Sequence, residues 1–219
     1  PHLKNVQPAV MVVGGLFDAQ DLYGPLKTYA AIKKYNPDAV NHLVMGPWRH
    51  GGWARRDGER YQDIYFGQKT AVYYRGEIEL PFFNHYLKDK PDPGLSEATI
   101  FLTGSNQWRT FDQWPPKKVT PKSLYLQPNG DLSFDAPTGT DDYEAYISDP
   151  AKPVPHTSKI VIRRDDRYVI QDQRFASTRP DVIVFESDVL MEDLTLAGDL
   201  FAHLYVTTTG TDADFIVKL

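Results

Sequence analysis

Cysteine is absent from the 219-residue sequence, which excludes disulfide bonds, thiolate metal ligands and a cysteine nucleophile. No run approaches the roughly 18 apolar residues that a membrane-spanning helix needs, so we expect no membrane partner. Basic residues are scattered and the net charge is -5, which argues against a nucleic-acid partner. The first residues lack the pattern of a signal peptide. These absences leave the compartment undecided between the cytoplasm and an exported, periplasmic or secreted, location.

The motifs of common cofactor sites are also missing. The H-E-x-x-H zinc motif does not occur, and Asp212 and Asp214 alone form only a weak pair of carboxylates. Gly14 and Gly15 are not followed by the third glycine or the Lys-Ser/Thr pair of a phosphate-binding loop. We therefore expect neither a metal ion nor a cofactor.

What is present in the first ninety residues is an alternation of short apolar runs and helical patterns. Residues 9–13 form a continuous apolar run that ends in two glycines, which predicts a buried parallel strand. Residues 22–34 place apolar side chains at helical spacing, with Asp21 as a cap. Residues 42–45 predict a second strand, and residues 68–87 predict a helix interrupted near its proline. This order predicts a parallel sheet covered by helices, the α/β class.

The pattern changes after residues 88–94, a predicted linker rich in proline and charge. Beyond it, helical periodicity is almost absent, and turn signals such as Pro128-Asn129-Gly130 and residues 139–142 separate short strand-like runs. The runs are residues 98–103, 123–126, 159–163, 182–186, 200–207 and 215–219. We interpret them as an incomplete all-β domain, a β-sandwich of the jelly-roll type. The predicted domains are residues 1–92 and 93–219.

Two residues with catalytic chemistry follow the two predicted strands of the α/β part. Asp18 comes shortly after the first strand, and His50 follows the second in the sequence Gly-Pro-Trp-Arg-His-Gly-Gly. Open α/β sheets place their reacting groups at the carboxyl ends of parallel strands. We therefore expect the Asp18 carboxylate to accept a hydrogen bond from one ring nitrogen of His50. The other nitrogen can then take a proton from a nucleophile.

Each of these residues also has a plainer interpretation. An aspartate after a strand is most often a turn former or a helix cap, and Asp21 is both the better cap and a rival for the catalytic acid. A single histidine is usually structural. Trp48 and Trp53 flank His50 and are candidates for the wall of an acyl pocket. Packing of their loop against the sheet is the favoured interpretation of both.

A serine nucleophile is not found in the sequence. In α/β-hydrolases the catalytic triad runs serine, acid, histidine along the chain, with the serine in a G-x-S-x-G turn. None of the eight serines has glycines two residues to each side. The first residue is not methionine, a strand-like run begins as early as residue 9, and the chain stops inside another such run, residues 214–219. We therefore expect a fragment of a longer polypeptide, inactive alone, whose nucleophile lies upstream in the N-terminal remainder of the same protein.

Several longer segments are distinctive, namely residues 15–18 (GLFD), 46–50 (GPWRH), 80–88 (LPFFNHYLK) and 103–116 (TGSNQWRTFDQWPP). They resemble the X-Pro dipeptidyl peptidase and cocaine esterase group of serine hydrolases. Within that group the sequence is most similar to the α-amino acid ester hydrolases and the glutaryl-7-aminocephalosporanic acid acylases, a similarity that continues in residues 172–175, 179–182 and 207–215.

This resemblance implies an α/β-hydrolase catalytic domain, with a helical cap inserted upstream, and a C-terminal jelly roll. It assigns the triad acid to Asp18 and the base to His50, in agreement with the pattern described above. In the α-amino acid ester hydrolases, further carboxylates after the acid bind the substrate's α-amino group. Asp21 matches one of those positions, whereas Gln20 stands where a glutamate is expected. The lost charge weakens the case for an α-ammonium substrate.

The leading hypothesis is a serine hydrolase that cleaves a small acyl ester or amide through an acyl-enzyme. The substrate classes are an α-amino acid ester, a β-lactam side-chain amide, or the N-terminal dipeptide of a peptide. An X-Pro dipeptidyl peptidase is the alternative within catalysis. A non-catalytic jelly-roll module that binds carbohydrate or serves assembly is the alternative from another class, and the resemblance also leaves a homo-oligomer open.

Overall fold

The structure is a computed structural model that describes residues 2–139, 143–162 and 166–219. The longer elements are β1 (Val10–Gly15), α1 (Tyr23–Tyr35), β2 (Asn41–Gly46), a π-helix (Tyr74–Glu79), α4 (Leu80–Lys88), β5 (Ala98–Leu102) and β6 (Gln107–Phe111). The shorter ones are α2 (Gly52–Arg55), β3 (Arg60–Tyr61), β4 (Ile64–Tyr65), α3 (Thr70–Tyr73), β7 (Tyr125–Leu126), β8 (Leu132–Ser133), α5 (Arg174–Ser177), and two 3-10 turns, Pro128–Gly130 and Asp166–Val169. Within the described ranges, no helix has the length and apolar character needed to cross a membrane.

The main sheet has four strands in the order β1-β2-β5-β6. Strands β1, β2 and β5 run parallel, and β6 pairs antiparallel with β5. The two strands predicted from apolar runs are confirmed, each extending to the glycine that ends its run. Because β1 and β2 are in parallel register from Val10 opposite Asn41 to Gly15 opposite Gly46, their carboxyl ends meet at the same edge.

Both faces of the sheet are covered, as a parallel sheet requires. Leu43 and Met45 of β2 pack with Tyr29 of α1 in one buried cluster. Val44, which points to the other face of the same strand, packs with Tyr74 of the π-helix in a second cluster. The alternation follows from the two-residue period of a strand. Because both faces of β2 are buried, its successive residues are apolar, whereas a strand with one exposed face would alternate apolar and polar residues.

Helix α1 confirms the helix predicted over residues 22–34. Its N-cap residue is Leu22, and no side chain caps it from that position. Asp21 lies one residue earlier, and its carboxylate accepts a hydrogen bond from the Gly24 amide at 2.7 Å. Asp21 therefore satisfies an otherwise open amide of the first turn, which is the chemistry expected of a cap.

The helical stretch predicted over residues 68–87 is confirmed, and the predicted interruption is a π-helix. A six-residue π-helix joins α3 to α4, and Pro81 is the second residue of α4. Pro81 has no amide proton to donate to the preceding turn, so the regular α-helical ladder cannot continue through it. The wider π-turn accommodates that gap, and within it the Tyr74 hydroxyl donates to the Glu79 carboxylate at 3.0 Å.

Strand β5 corrects one expectation. The run 98–103 is expected from the sequence in the β-sandwich, but Ala98–Leu102 pairs parallel with β2, from Leu43 opposite Ala98 to Met45 opposite Ile100. The α/β sheet therefore continues past the linker, and the expected strand placement is wrong. The reason is physical, because an apolar run shows that a strand is buried but not which strand it pairs with. The linker itself contains no helix or strand from residue 89 to 97.

Beyond β6 the described residues contain little regular sheet. Strands β7 and β8 form a hairpin around the predicted Pro128–Gly130 turn, and Asp131 bridges to Glu186 in the predicted run 182–186. The described parts of the other three predicted runs, residues 159–162, 200–207 and 215–219, carry no assigned strand. Arg163 at the end of one run, and residues 140–142 of the predicted turn, lie outside the described residues. The jelly roll therefore stays a prediction.

Candidate active site

The two loops that follow the carboxyl ends of β1 and β2 are hydrogen-bonded to each other through their backbones. The Leu16 amide donates to the Gly46 carbonyl at 2.8 Å, and the Phe17 amide donates to the Trp48 carbonyl at 3.1 Å. The loops approach so closely at Gly15 that a Cβ atom there would lie 2.2 Å from the Trp48 carbonyl oxygen. A glycine is therefore required where the first loop leaves the sheet.

This arrangement brings Asp18 and His50 into direct contact, as the sequence predicts. The His50 Nδ1 atom lies 2.8 Å from the Asp18 Oδ2 atom. The Asp18 side chain is 3% exposed, whereas the His50 side chain is 61% exposed. The acid is therefore buried behind the base, and the imidazole faces the open side of the loops.

Backbone amides hold the Asp18 carboxylate in its charged form. Its Oδ1 atom accepts hydrogen bonds from the amides of Gln20, at 2.8 Å, and Asp21, at 3.1 Å. Burial opposes ionisation, but the hydrogen bonds from the Gln20 amide, the His50 ring and the Asp21 amide outweigh it. Together they hold the pKa of Asp18 below its ordinary value.

The charge of Asp18 decides which tautomer of His50 is favoured. An ionised carboxylate only accepts hydrogen bonds, so Nδ1 must carry the proton that it donates to Asp18. The Nε2 atom of a neutral ring is then a proton acceptor, directed away from the acid. A histidine oriented in this way can act as a general base towards a hydroxyl group placed next to Nε2.

A recess of about 280 Å³ opens beside this pair. Its lining residues are Asp18, Ala19, Gln20, Arg49, His50 and Asp166. The Arg49 guanidinium lies 3.5 Å from the Asp166 carboxylate. The recess is thus built from both loops together with a residue far along the chain.

Asp166 and Arg49 are site residues that the sequence analysis missed. Arg49 could have been suspected, since it adjoins His50 in the Gly-Pro-Trp-Arg-His segment. Asp166 offered no such signal, because it belongs to no recognisable motif and reaches the site only through the fold. Its backbone carbonyl accepts a hydrogen bond from the Tyr61 hydroxyl at 2.9 Å.

The structure places the four residues considered for substrate binding differently with respect to the recess. They are Gln20, Asp21, Trp48 and Trp53. Gln20 lines the recess, whereas Asp21 does not, since its carboxylate is bound to the Gly24 amide. The Trp53 ring lies 6.5 Å from the His50 ring, centroid to centroid, at the edge of the site. Trp48 is buried in the core, and its indole N–H donates to the Thr70 hydroxyl at 2.9 Å. Trp48 therefore packs the loop, which is the interpretation that the sequence favours.

Metal-ligating side chains are not gathered at this site. Within the described ranges, no group of three or more histidine, aspartate or glutamate side chains is arranged to hold a metal ion. The chemistry offered by the described residues is therefore that of a carboxylate-oriented imidazole.

Comparison with known proteins places this geometry in a family. Residues 93–219 match the family model described as the X-Pro dipeptidyl-peptidase C-terminal non-catalytic domain. Residues 1–52, which include Asp18 and His50, match the X-Pro dipeptidyl-peptidase (S15 family) model. The chain belongs to the X-Pro dipeptidyl-peptidase family, whose C-terminal domain model matches more than half of it. The resemblance drawn from the sequence segments is thereby confirmed.

Individual relatives match this chain over most of its length. It is 28% identical over 231 residues to the cocaine esterase of Rhodococcus sp. (strain MB1 Bresler), covering 100% of this chain and 39% of that protein. An aminopeptidase from the marine sediment archaeon Thaumarchaeota archaeon superposes with a TM-score of 0.76 and 34% identity, over 82% of this chain and 30% of its own. An α-amino acid ester hydrolase superposes with a TM-score of 0.77 and 37% identity, over 86% and 32%. The chain thus spans well under half the length of these relatives.

Proposed function

We propose that this chain supplies the acid and the base of a serine hydrolase. The observation that carries the proposal is the 2.8 Å contact between the buried Asp18 carboxylate and the exposed His50 ring. This geometry matches the acid–base half of a serine triad, in which the carboxylate orients the imidazole and stabilises its charged form. The relatives named as an esterase, an aminopeptidase and an ester hydrolase support the same reaction class.

The proposed reaction proceeds through an acyl-enzyme. The serine hydroxyl attacks the substrate carbonyl as His50 Nε2 takes its proton, and the imidazolium then gives that proton to the departing alcohol or amine. In the second half, His50 takes a proton from water as the water oxygen attacks the acyl-enzyme. The carboxylic acid product is released as the proton of the His50 imidazolium returns to the serine oxygen. His50 is then neutral again, as it was at the start.

The nucleophilic serine is proposed to lie upstream of residue 1. Two observations support this placement. No serine of the chain stands in a G-x-S-x-G turn, and the serine precedes the acid and the histidine in α/β-hydrolases. The chain also corresponds to 39% or less of each relative described above. The assembled active site would then combine an upstream loop with the Asp18 and His50 loops.

The proposed substrates are small acyl esters or amides. The α-amino acid ester hydrolase and the aminopeptidase are each named for compounds with an α-amino group, which supports an α-amino acyl donor for this protein. A β-lactam side-chain amide has the same kind of acyl bond. The family match equally supports an X-Pro dipeptidyl peptidase, which removes a dipeptide.

The domain organisation is part of the proposal. Residues 1–92 are proposed to be the end of the catalytic α/β-hydrolase domain, and residues 93–219, which match the non-catalytic domain of the family, are proposed to form a jelly roll in the part that follows β5 and β6. The β5 strand then links the two, because it lies within the second range and pairs with β2 of the first. A purely carbohydrate-binding or assembly module would have no use for the Asp18–His50 contact.

The test uses the polypeptide extended upstream to include the proposed serine. Hydrolysis of a p-nitrophenyl ester is measured for the unchanged protein, for His50→Ala and for His2→Ala, which removes an exposed histidine outside the recess. We expect His50→Ala to lower kcat by about 10⁴ or more and His2→Ala to leave it unchanged. Turnover by His50→Ala at the unchanged rate would refute the proposal.

A further inference from the structure

We propose that Thr70 is a positioning residue for His50 and that it acts through Trp48. The inference rests on the proposed hydrolase function and names a further residue on which that reaction depends. Thr70 is the first residue of α3 and lies beyond residues 1–52, the part that matches the peptidase model. Its side chain is fully buried, so any effect on the reaction must pass through its neighbours.

The Thr70 hydroxyl makes two hydrogen bonds whose directions are fixed by chemistry. The Trp48 indole N–H donates to it at 2.9 Å, and it donates to the Gly58 carbonyl at 2.7 Å. An indole N–H can only donate and a carbonyl can only accept, so the hydroxyl accepts from the first and donates to the second. A serine at this position can make both bonds, whereas a valine, which has nearly the shape of threonine, can make neither.

The Trp48 ring is also enclosed by apolar contacts. The rings of Tyr74 and Trp108 lie 5.4 Å and 5.8 Å from it, centroid to centroid. A Cβ atom at Gly46 would lie 2.4 Å from the ring, so the chain approaches it closely there as well. The apolar contacts hold the ring in place, and the hydrogen bond to Thr70 selects the orientation that points the indole N–H at the hydroxyl. Packing and hydrogen bonding together therefore lock one rotamer of Trp48.

The backbone of Trp48 connects this locked ring to both active-site loops. Its carbonyl accepts the hydrogen bond from the Phe17 amide at 3.1 Å. Phe17 directly precedes Asp18, and Trp48 lies two residues before His50. A rotation of the Trp48 side chain would therefore shift the base relative to the acid and disturb their 2.8 Å contact. Thr70 thus sets the position of the imidazole from a distance.

The test measures kcat and KM for a p-nitrophenyl ester with the polypeptide extended upstream to include the proposed serine. We expect Thr70→Val to lower kcat by about 10-fold, because a misplacement of about 1 Å costs about 100-fold and a smaller shift costs less. KM is expected to change by less than about twofold, since His50 serves both halves of the reaction and Thr70 does not bind the substrate. Thr70→Ser keeps both hydrogen bonds and is expected to retain kcat within about twofold.

The matched control is Tyr29→Phe, which removes another buried hydroxyl that makes two hydrogen bonds. That hydroxyl donates to the Glu97 carboxylate and accepts from the Trp114 amide, and none of the three residues belongs to the two active-site loops. We expect Tyr29→Phe to lower the midpoint of thermal unfolding and to leave kcat unchanged. All variants are assayed well below their unfolding midpoints, so that loss of stability alone does not lower kcat.

A second variant breaks the same hydrogen bond from its other side. Trp48→Phe removes the indole donor and leaves the bond from Thr70 to Gly58 in place, so it tests the inference even if Thr70→Val does not fold. Its kcat is expected to fall at least as far as that of Thr70→Val. In the double variant we expect no loss beyond that of Trp48→Phe alone, because the bond between the two side chains is already absent.

The outcomes separate this inference from the proposed function. An unchanged kcat in folded Thr70→Val or in Trp48→Phe would overturn the role of Thr70. An equal loss of kcat in Thr70→Ser or in Tyr29→Phe would also overturn it, because the effect would then not come from the hydroxyl at this position. If the extended protein hydrolyses no ester, or if His50→Ala is fully active, the proposed function itself is wrong.

Discussion

At the scale of single residues, the Asp18 carboxylate accepts one side-chain and two backbone hydrogen bonds while almost wholly buried. Burial alone would favour its neutral form, and a neutral carboxyl could not direct the His50 proton to Nδ1. The backbone amides of the loop therefore have a functional consequence, since they keep the acid ionised. The same contacts tie the charge of Asp18 to the stability of the fold.

The lowered pKa of Asp18 predicts a pH dependence of stability. Because the pKa lies below 3.8 in the folded protein and at about that value in the unfolded chain, the unfolded chain takes up the proton first as the pH falls. The stability that Asp18 contributes is therefore present above pH 3.8 and is lost as the pH falls through the lower, folded-state pKa. Urea unfolding of the unchanged protein and of Asp18→Asn, compared between about pH 6 and about pH 2, measures this contribution.

The difference in the free energy of unfolding between the unchanged protein and Asp18→Asn is expected to become smaller in the acid range only. The asparagine side chain of the variant cannot titrate, whereas the other carboxylates titrate alike in both proteins and cancel in the comparison. A difference that stays constant down to the lowest pH would show that Asp18 is not held ionised by the folded loops.

At the scale of elements, the closeness of the β1 and β2 loops depends on Gly15. A methyl group at this position would meet the Trp48 carbonyl oxygen at 2.2 Å, so Gly15→Ala must push the loops apart. We expect kcat/KM to fall by about 100-fold, since a displacement of about 1 Å between catalytic groups has effects of that size. Gly76→Ala is the matched control, because a Cβ atom there meets no atom within 4 Å. Near-normal activity of Gly15→Ala would contradict the proposed arrangement of the loops.

Helix α1 is tied to the β5 end of the sheet by Tyr29. Its hydroxyl donates to the Glu97 carboxylate and accepts from the Trp114 amide at 3.2 Å. Burial, and then the hydrogen bond to Glu97, raise the pKa of Tyr29 to about 12, so the hydroxyl keeps its proton at neutral pH. This one side chain thus connects α1 to the segments before β5 and after β6.

Removal of that hydroxyl is expected to weaken the fold. Tyr29→Phe leaves the Trp114 amide without its acceptor, and the free energy of unfolding is expected to fall by about 1–3 kcal/mol in urea denaturation. Tyr23→Phe is the control on the same helix, because the Tyr23 side chain is 71% exposed. Equal effects of the two substitutions would mean that the Tyr29 contacts contribute nothing specific.

Local and long-range features differ in how far the sequence predicts them. The strands before Asp18 and His50 are predictable because an apolar run followed by glycine is a local signal, and their parallel pairing follows from the helix between them. The partner of β5 is not predictable in this way, since β2 lies more than fifty residues earlier in the chain. The position of Asp166 is not predictable for the same reason. It depends on contacts with Tyr61 and Arg49 that no sequence pattern indicates.

At the scale of the whole molecule, the 219 residues carry the two groups that we propose as the acid and the base of a serine triad, Asp18 and His50. Large apolar side chains in the predicted strands of the C-terminal part are exposed, among them Ile160, Ile162 and Tyr205. We expect the chain alone to give no turnover of a p-nitrophenyl ester, because the proposed nucleophile is not part of it. Turnover by the isolated chain that disappears in His50→Ala would show that the nucleophile lies within these residues.

The central claim is that Asp18 and His50 act as one catalytic unit, and a double-mutant cycle in the serine-containing protein tests it most directly. We predict that Asp18→Asn lowers kcat for an acyl ester by about 10⁴, and that adding it to His50→Ala lowers kcat no further, because the acid works only through the histidine. If the two losses instead multiply in the double variant, or if Asp18→Asn alone leaves kcat unchanged, the two residues do not form the unit described.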